Sequence, residues 1–439
     1  MHTNEGRQTT VEMTMQLRFT LCLATIVLFL STLQADNWPQ WRGPAGDGMS
    51  KETGVPTKWS KEENILWSVP LPGMGGATPV IWGDKLFLIS ETKDGMLALL
   101  CFNNKDGKEL WSKPLSTKKA RRARGDEGNS ASASPSTDGK HIYAFVGTGE
   151  FACFDFDGNE VWKFDAQERY GKFNIQFGVS STPVLYLGKL YWQLMHTDGQ
   201  YVICIDTKDG KDVWKVDRPS DSNPRSENPH SYASAQLWHK GESAYLVVHG
   251  NDYTTAHDLK DGHEIWRLMG LNPKEKYHPT QRFVASPLVT PDLIVVPTAK
   301  GGQTVAVKPS AQGEVKPGSP YEQWRRMRDT PDVPCPLLVD GLVYLCSENG
   351  VLICIDAETG KEYFKQRMHS QRYRASPVYA DGKIYCTARD GTITVLKAGK
   401  TFEEISVNKL PDLVSASPVI SNGKIYVRGF DKLWCIGTK

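Results

Sequence analysis

The sequence predicts an all-β protein: an eight-bladed β-propeller whose N-terminal strand closes the last blade. Three observations carry the prediction. A small-Ser/Thr-Pro step, allowing for two variants, recurs eight times and each time runs into a short apolar strand. A hairpin of fixed form follows in five of the repeats and ends on a large aromatic residue four positions after its turn glycine. Beyond the N-terminus, no long stretch shows apolar residues at helical spacing between helix caps.

The elements follow in chain order. Residues 19–33 (FTLCLATIVLFLSTL) carry no charge, follow Arg18 and precede Gln34 and Ala35. This reads as a secretory signal peptide over residues 1–35, too short for the roughly 20 residues that span a bilayer. Export to a periplasmic or extracellular space is therefore expected, with no transmembrane segment after cleavage. Residues 36–63 form a lead-in, and residues 37–48 (NWPQWRGPAGDG) are expected to lie outside the ring. The propeller itself spans residues 64–439. An orphan strand, NILWSVPL at 64–71, comes before the first repeat, and the last repeat stops one strand short at KLWCIGTK, 432–439. Pairing the two would remove both open edges of the ring.

The repeated prolines stand at 79, 135, 183, 287, 336, 377 and 418, with Ala235 in the remaining place. Their spacings of 41 to 56 residues suit a four-stranded blade. The hairpin appears in CFNNKDGKELW (101–111), CFDFDGNEVW (153–162), CIDTKDGKDVW (204–214), AHDLKDGHEIW (256–266) and CIDAETGKEYF (354–364). Its aromatic residue should pack between blades. In the fifth and seventh repeats the pattern weakens: residues 306–324 are irregular, and 395–405 lack the aromatic. After Ala35 the cysteines are Cys101, Cys153, Cys204, Cys335, Cys346, Cys354, Cys386 and Cys435. Cys101, Cys153, Cys204, Cys354 and Cys435 share one strand position, as small buried residues do, so free core thiols and no disulfide framework are expected.

Taken together, the small-Ser-Pro strand, the Gly-Lys-aromatic strand and the hairpin resemble the pyrroloquinoline quinone repeat superfamily of eight-bladed propellers. Cys204, Asp206, Gly210 and Trp214 match its hairpin pattern, as do Cys354, Asp356, Gly360 and, conservatively, Phe364. The lead-in also resembles that of exported bacterial members. The resemblance implies one of two activities. The first is a non-catalytic binding propeller, like the lipoprotein of the outer-membrane barrel assembly machine. The second is a periplasmic quinoprotein alcohol dehydrogenase, which would need the quinone and Ca²⁺. Enzymes of the second kind add a vicinal disulfide and roofing insertions. Here no two cysteines adjoin, and the 404 residues after Ala35 are little more than eight blades require. The expectation is therefore a scaffold without a catalytic site, a cofactor or a metal.

Composition and motifs exclude other classes. Lys and Arg total 52 against 50 for Asp and Glu, so the net charge of +2 exerts no long-range pull on nucleic acid. The basic run Lys118, Lys119, Arg121, Arg122 and Arg124 has no interleaved aromatics for base stacking and reads as a solvated loop. Asp155, Asp157 and Gly158 begin like a Ca²⁺ loop, yet Glu160 is followed at once by Val161 and Trp162, so a plain hairpin is expected. No HExxH, GxSxG or Walker motif is present. Register places a candidate binding site at one mouth of the channel. His230, Arg282 and Arg372 stand five residues before the repeated proline position, where packing asks for neither His nor Arg. Tyr232 and Arg374 lie two residues further in, and Arg124, Asn129 and Gln176 come from the same loops. The expected partner of this monomer is a small anionic ligand or an acidic protein loop.

Overall fold

The computed structural model describes residues 37–60, 62–121, 128–219, 222–223 and 227–438. Residues 1–35, with the expected signal peptide, lie outside the described residues, as does Arg124. Among the described residues eight sheets follow one another along the chain, seven antiparallel with four strands and one of five whose added strand is parallel. Blades one to eight occupy residues 80–114, 136–165, 184–217, 236–268, 288–326, 337–367, 378–409 and 419–436.

The eighth blade is completed by the strand Ile65–Pro70, antiparallel to Lys432–Ile436. The register explains why this segment fits. In blades one, two, three and six the outer aromatic sits opposite the repeat cysteine, as Trp111 opposite Cys101 and Trp162 opposite Cys153. Trp67 stands opposite Cys435 in the same way, so the N-terminal strand supplies the aromatic that the last repeat lacks.

Each indole crosses to the next blade. Trp67, Trp111, Trp162, Trp214 and Trp324 lie over Gly107, Gly158, Gly210, Gly262 and Gly360, the turn glycines of the following hairpins. Four of them also donate their N–H to a carbonyl there: Trp111 to Phe156 (3.1 Å), Trp162 to Thr207 (2.8 Å), Trp214 to Leu259 (3.1 Å) and Trp324 to Ala357 (2.8 Å). The repeat motif is thus a joint between blades, burying apolar surface that no blade covers alone. Blade five is less degenerate than its sequence suggests. Trp324 pairs with Ala306 as its counterparts do, and the intervening chain leaves the ladder to add Gly313–Val315 as a parallel fifth strand on blade four.

The lead-in departs from expectation. Residues 37–48 do not lie outside the ring; they run across one end of it. Trp38 bridges to Ile81 on blade one, and Pro39 O accepts from Thr137 N–H on blade two. The Arg42 guanidinium donates to Pro336 O on blade six at 2.8 Å. Met49 bridges to Tyr379 on blade seven, and Ser50 Oγ reaches Ile420 O on blade eight at 3.5 Å. Trp38, Arg42 and Trp59 are buried. The reason is local: a Gly- and Pro-rich segment has no periodicity to betray burial, and the buried guanidinium donates through Nε and Nη2 to backbone carbonyls at Gly46, Asp47 and Pro336.

Candidate functional site

The innermost strands converge on the axis through their small residues. Thr78 N–H donates to Ser134 Oγ (2.9 Å), Ser134 N–H to Thr182 Oγ1 (3.0 Å), and Thr182 N–H to Ser234 Oγ (2.8 Å). The series continues through Ser286, Cys335, Ser376 and Ser417. These repeated hydroxyls therefore bind blade to blade. With Trp41 of the lead-in they line a small cavity of about 140 Å³. The chain passes from blade two at Pro39 to blade six at Arg42, and this carries Trp41 across the channel and closes that end.

The opposite end opens into a cavity of about 380 Å³. Asn129, Tyr232, Arg282, Arg372 and Arg374 line it, together with Arg389, Glu348 and Phe177, which sequence reasoning missed. Gln176 is exposed beside the site, and only its neighbour Phe177 enters the lining. His230 is buried, its Nε2 3.0 Å from the Thr197 hydroxyl. Burial lowers its pKa, so it stands neutral behind Tyr232 and is no cationic donor.

The loops entering the inner strands fix these groups. The Tyr232 hydroxyl accepts Phe177 N–H at 3.4 Å, and the Tyr232 N–H donates to Phe283 O at 2.8 Å. Arg282 lies 5.2 Å from the Phe177 ring centre and pairs with Glu227 at 3.1 Å. Arg374 pairs with Glu348 at 2.7 Å. Arg389 donates to Ser415 Oγ at 2.5 Å, and its N–H reaches Arg372 O at 2.7 Å, which joins the loops of blades seven and eight. Asp332 is buried beneath these arginines. Burial raises its pKa and the neighbouring Glu348 adds to the effect, while Arg282 opposes it. The mouth is thus a mixed-charge network in which four arginines and one glutamate line the cavity itself. A groove of about 600 Å³ adjoins it and shares Glu348 and Arg372.

The signal that could have revealed the acidic members was weak. Glu348 sits in a turn of blade six and Asp332 four residues before Pro336, so each belongs to a different loop from the arginine it meets. A three-membered group able to hold a metal also occurs, Asp258, Asp261 and His263; it lies on the outer hairpin of blade four and not at the mouth. Among the described residues no helix is long and apolar enough to cross a membrane.

Comparison with known proteins fits this architecture. No curated protein sequence matches the chain. BamB from Moraxella catarrhalis superposes with a TM-score of 0.56 at 13% identity, covering 84% of this chain and 98% of that one. The quinohemoprotein alcohol dehydrogenase of Comamonas testosteroni gives 0.69 at 12% identity, covering 92% and 81%. A europium-containing methanol dehydrogenase gives 0.65 at 12% identity, covering 92% and 98%. At such identities these likenesses establish the fold alone. The family described as outer membrane protein assembly factor BamB, of the PQQ-repeat type, matches over residues 48–215, 96–327 and 315–402. With its repeat joints, closing strand and eight blades, the chain belongs to this family.

Proposed function

We propose that the chain is an exported, monomeric binding scaffold whose open channel mouth receives a small anionic ligand or an acidic loop of a protein partner. One observation carries this reading: the channel is closed at one end by the lead-in and opens at the other into a cavity walled by Arg282, Arg372, Arg374 and Arg389. Phe177, Tyr232, Val284 and Val333 give that cavity apolar sides, which strengthens charged contacts by excluding water. The planar fork of arginine suits carboxylate and phosphate groups.

The quinoprotein alternative finds less support in the residues at hand. At the mouth Glu348 pairs with Arg374 and Glu227 with Arg282, and four arginines against one glutamate line the cavity. No two cysteines are adjacent for a vicinal disulfide. Two experiments test the proposal. Replacing Arg282 and Arg372 with Ala should weaken binding of a labelled acidic peptide in a salt-dependent way. It should leave stability within about 1 kcal/mol, as ion pairs that keep some contact with solvent contribute little. A large loss of stability would make these arginines structural ion-pair residues instead. Cofactor absorbance with alcohol-dependent dye reduction, after adding quinone and Ca²⁺, would replace the scaffold reading by the dehydrogenase one.

A further inference from the structure

The seam between blades six and seven holds two cysteines that the repeat pattern does not account for. Tyr344 and Tyr385 occupy matching places in the strands Leu342–Cys346 and Lys383–Thr387, since Tyr344 pairs with Cys354 and Tyr385 with Val395, the corresponding position of the next blade. Side chains alternate along a strand, so Cys346 shares the face of Tyr344 and Cys386 takes the face opposite Tyr385. Tyr344 reaches forward to Gly399 of blade seven, accepting its N–H at 2.7 Å. Cys346 therefore looks towards blade seven, and Cys386 looks back towards blade six. Both are buried in the one apolar cluster that fills this seam, with Tyr373 beside them. Both are free thiols here, and the neighbouring Cys386 thiol, together with burial, raises the pKa of the Cys346 thiol. Cys101, Cys153, Cys204 and Cys435 lie in four other clusters, one in each.

We propose that Cys346 and Cys386 close into a disulfide that ties blade six to blade seven. The Sγ–Sγ bond forms as both S–H bonds are lost. Two electrons and two protons pass to a disulfide-bearing oxidant, small or protein-borne, which leaves as two thiols. The reaction belongs to the folding phase. Once the seam is packed, neither sulfur is reachable, and the contact with Cys386 together with burial holds the Cys346 thiol protonated. Cys354 shares the cluster, with its sulfur 3.7 Å from Gly399 O, while the sulfur of Cys346 lies 3.8 Å from its neighbour's carbonyl, Ser347 O. The inference is independent of what binds at the mouth.

The test is to refold the full chain in a mixture of oxidised and reduced glutathione. Under denaturing conditions free thiols are capped with one alkylating reagent, then the protein is reduced and capped with a second. The second label is expected on Cys346 and Cys386 alone, with their peptides joined in the unreduced digest. In Cys386→Ala the first reagent should label Cys346, and a reductant should lower the melting temperature of the parent but not of this variant. The first label on both residues of the parent, or the second label on other cysteines, would overturn the proposal. The parent's labelling decides the matter even where the variant folds poorly.

Discussion

At Gly210 the backbone holds a φ of +69°, and a Cβ there would meet the Trp162 ring at 2.7 Å. Gly423 has a similar φ of +64° but nothing within 4 Å. Gly423→Ala should therefore cost about 1 kcal/mol for the left-handed backbone alone. Gly210→Ala should cost about 2–4 kcal/mol, because overpacking against the indole adds to it; urea midpoints of the two variants measure the difference. A second prediction concerns His257. Its Nδ1–H donates to Gly262 O (2.8 Å), and its Nε2 faces the Thr255 hydroxyl (2.9 Å), which in turn accepts from buried Arg218 (2.8 Å). Burial, with Arg218 nearby, lowers its pKa from 6.5 to about 4. Between those values the unfolded chain binds a proton that the folded one refuses, so stability falls as pH drops from 6.5 towards 4. His257→Gln should flatten the stability-against-pH slope by up to about 1.4 kcal/mol per pH unit in that window, measured by urea unfolding at several pH values. At this scale the sequence was partly legible. Arg282, Arg372 and Arg374 stood out because packing asks for no arginine where the chain enters an inner strand. Glu227, Glu348 and Asp332 did not, because contact with an arginine from another loop is a property of the closed ring.

Two N-terminal elements illustrate opposite degrees of legibility. The strand Ile65–Pro70 was readable because it is a short, mostly apolar run ahead of the first repeat and the final repeat visibly lacks a partner. The crossing segment was not, because it resembles no repeat and its anchors are backbone groups, both N–H and carbonyl, scattered over five blades. The expectation that residues 37–48 lie outside the ring is accordingly reversed. Deleting residues 37–59 while keeping 65–70 should cost at least about 3–5 kcal/mol, the usual penalty for emptying one buried Trp site, since it strips both Trp38 and Trp59. Trp67→Ala, at a partly buried joint, should cost less. Calorimetric melting of the two proteins ranks them, and equal melting temperatures would show that the crossing segment is only draped on the ring.

Over the whole molecule, repetition made the architecture readable: eight similar units with one strand displaced to the far end leave few alternatives to a closed ring. Closure also governs how the ring comes apart. With both chain ends woven into blade eight, every blade has two neighbours, and unfolding by Trp fluorescence and by far-UV circular dichroism should coincide. Removing 65–70 leaves blades eight and one with a free seam, and the two signals should then separate along the urea axis. The same weaving sets a timetable for assembly. Ile65 pairs with Ile436 and Ser50 reaches Ile420, so the N-terminal segment finds the last of its partners only when the last blade exists. Such long sequence separations slow the final step of folding, and until it occurs Trp38 and Trp67 lack their blade-eight neighbours and remain only partly covered. The nascent chain therefore passes through a nearly complete but open ring with its stickiest residues at a loose end. That is the stage at which a folding helper, or a drop in temperature, should most improve the yield of native protein.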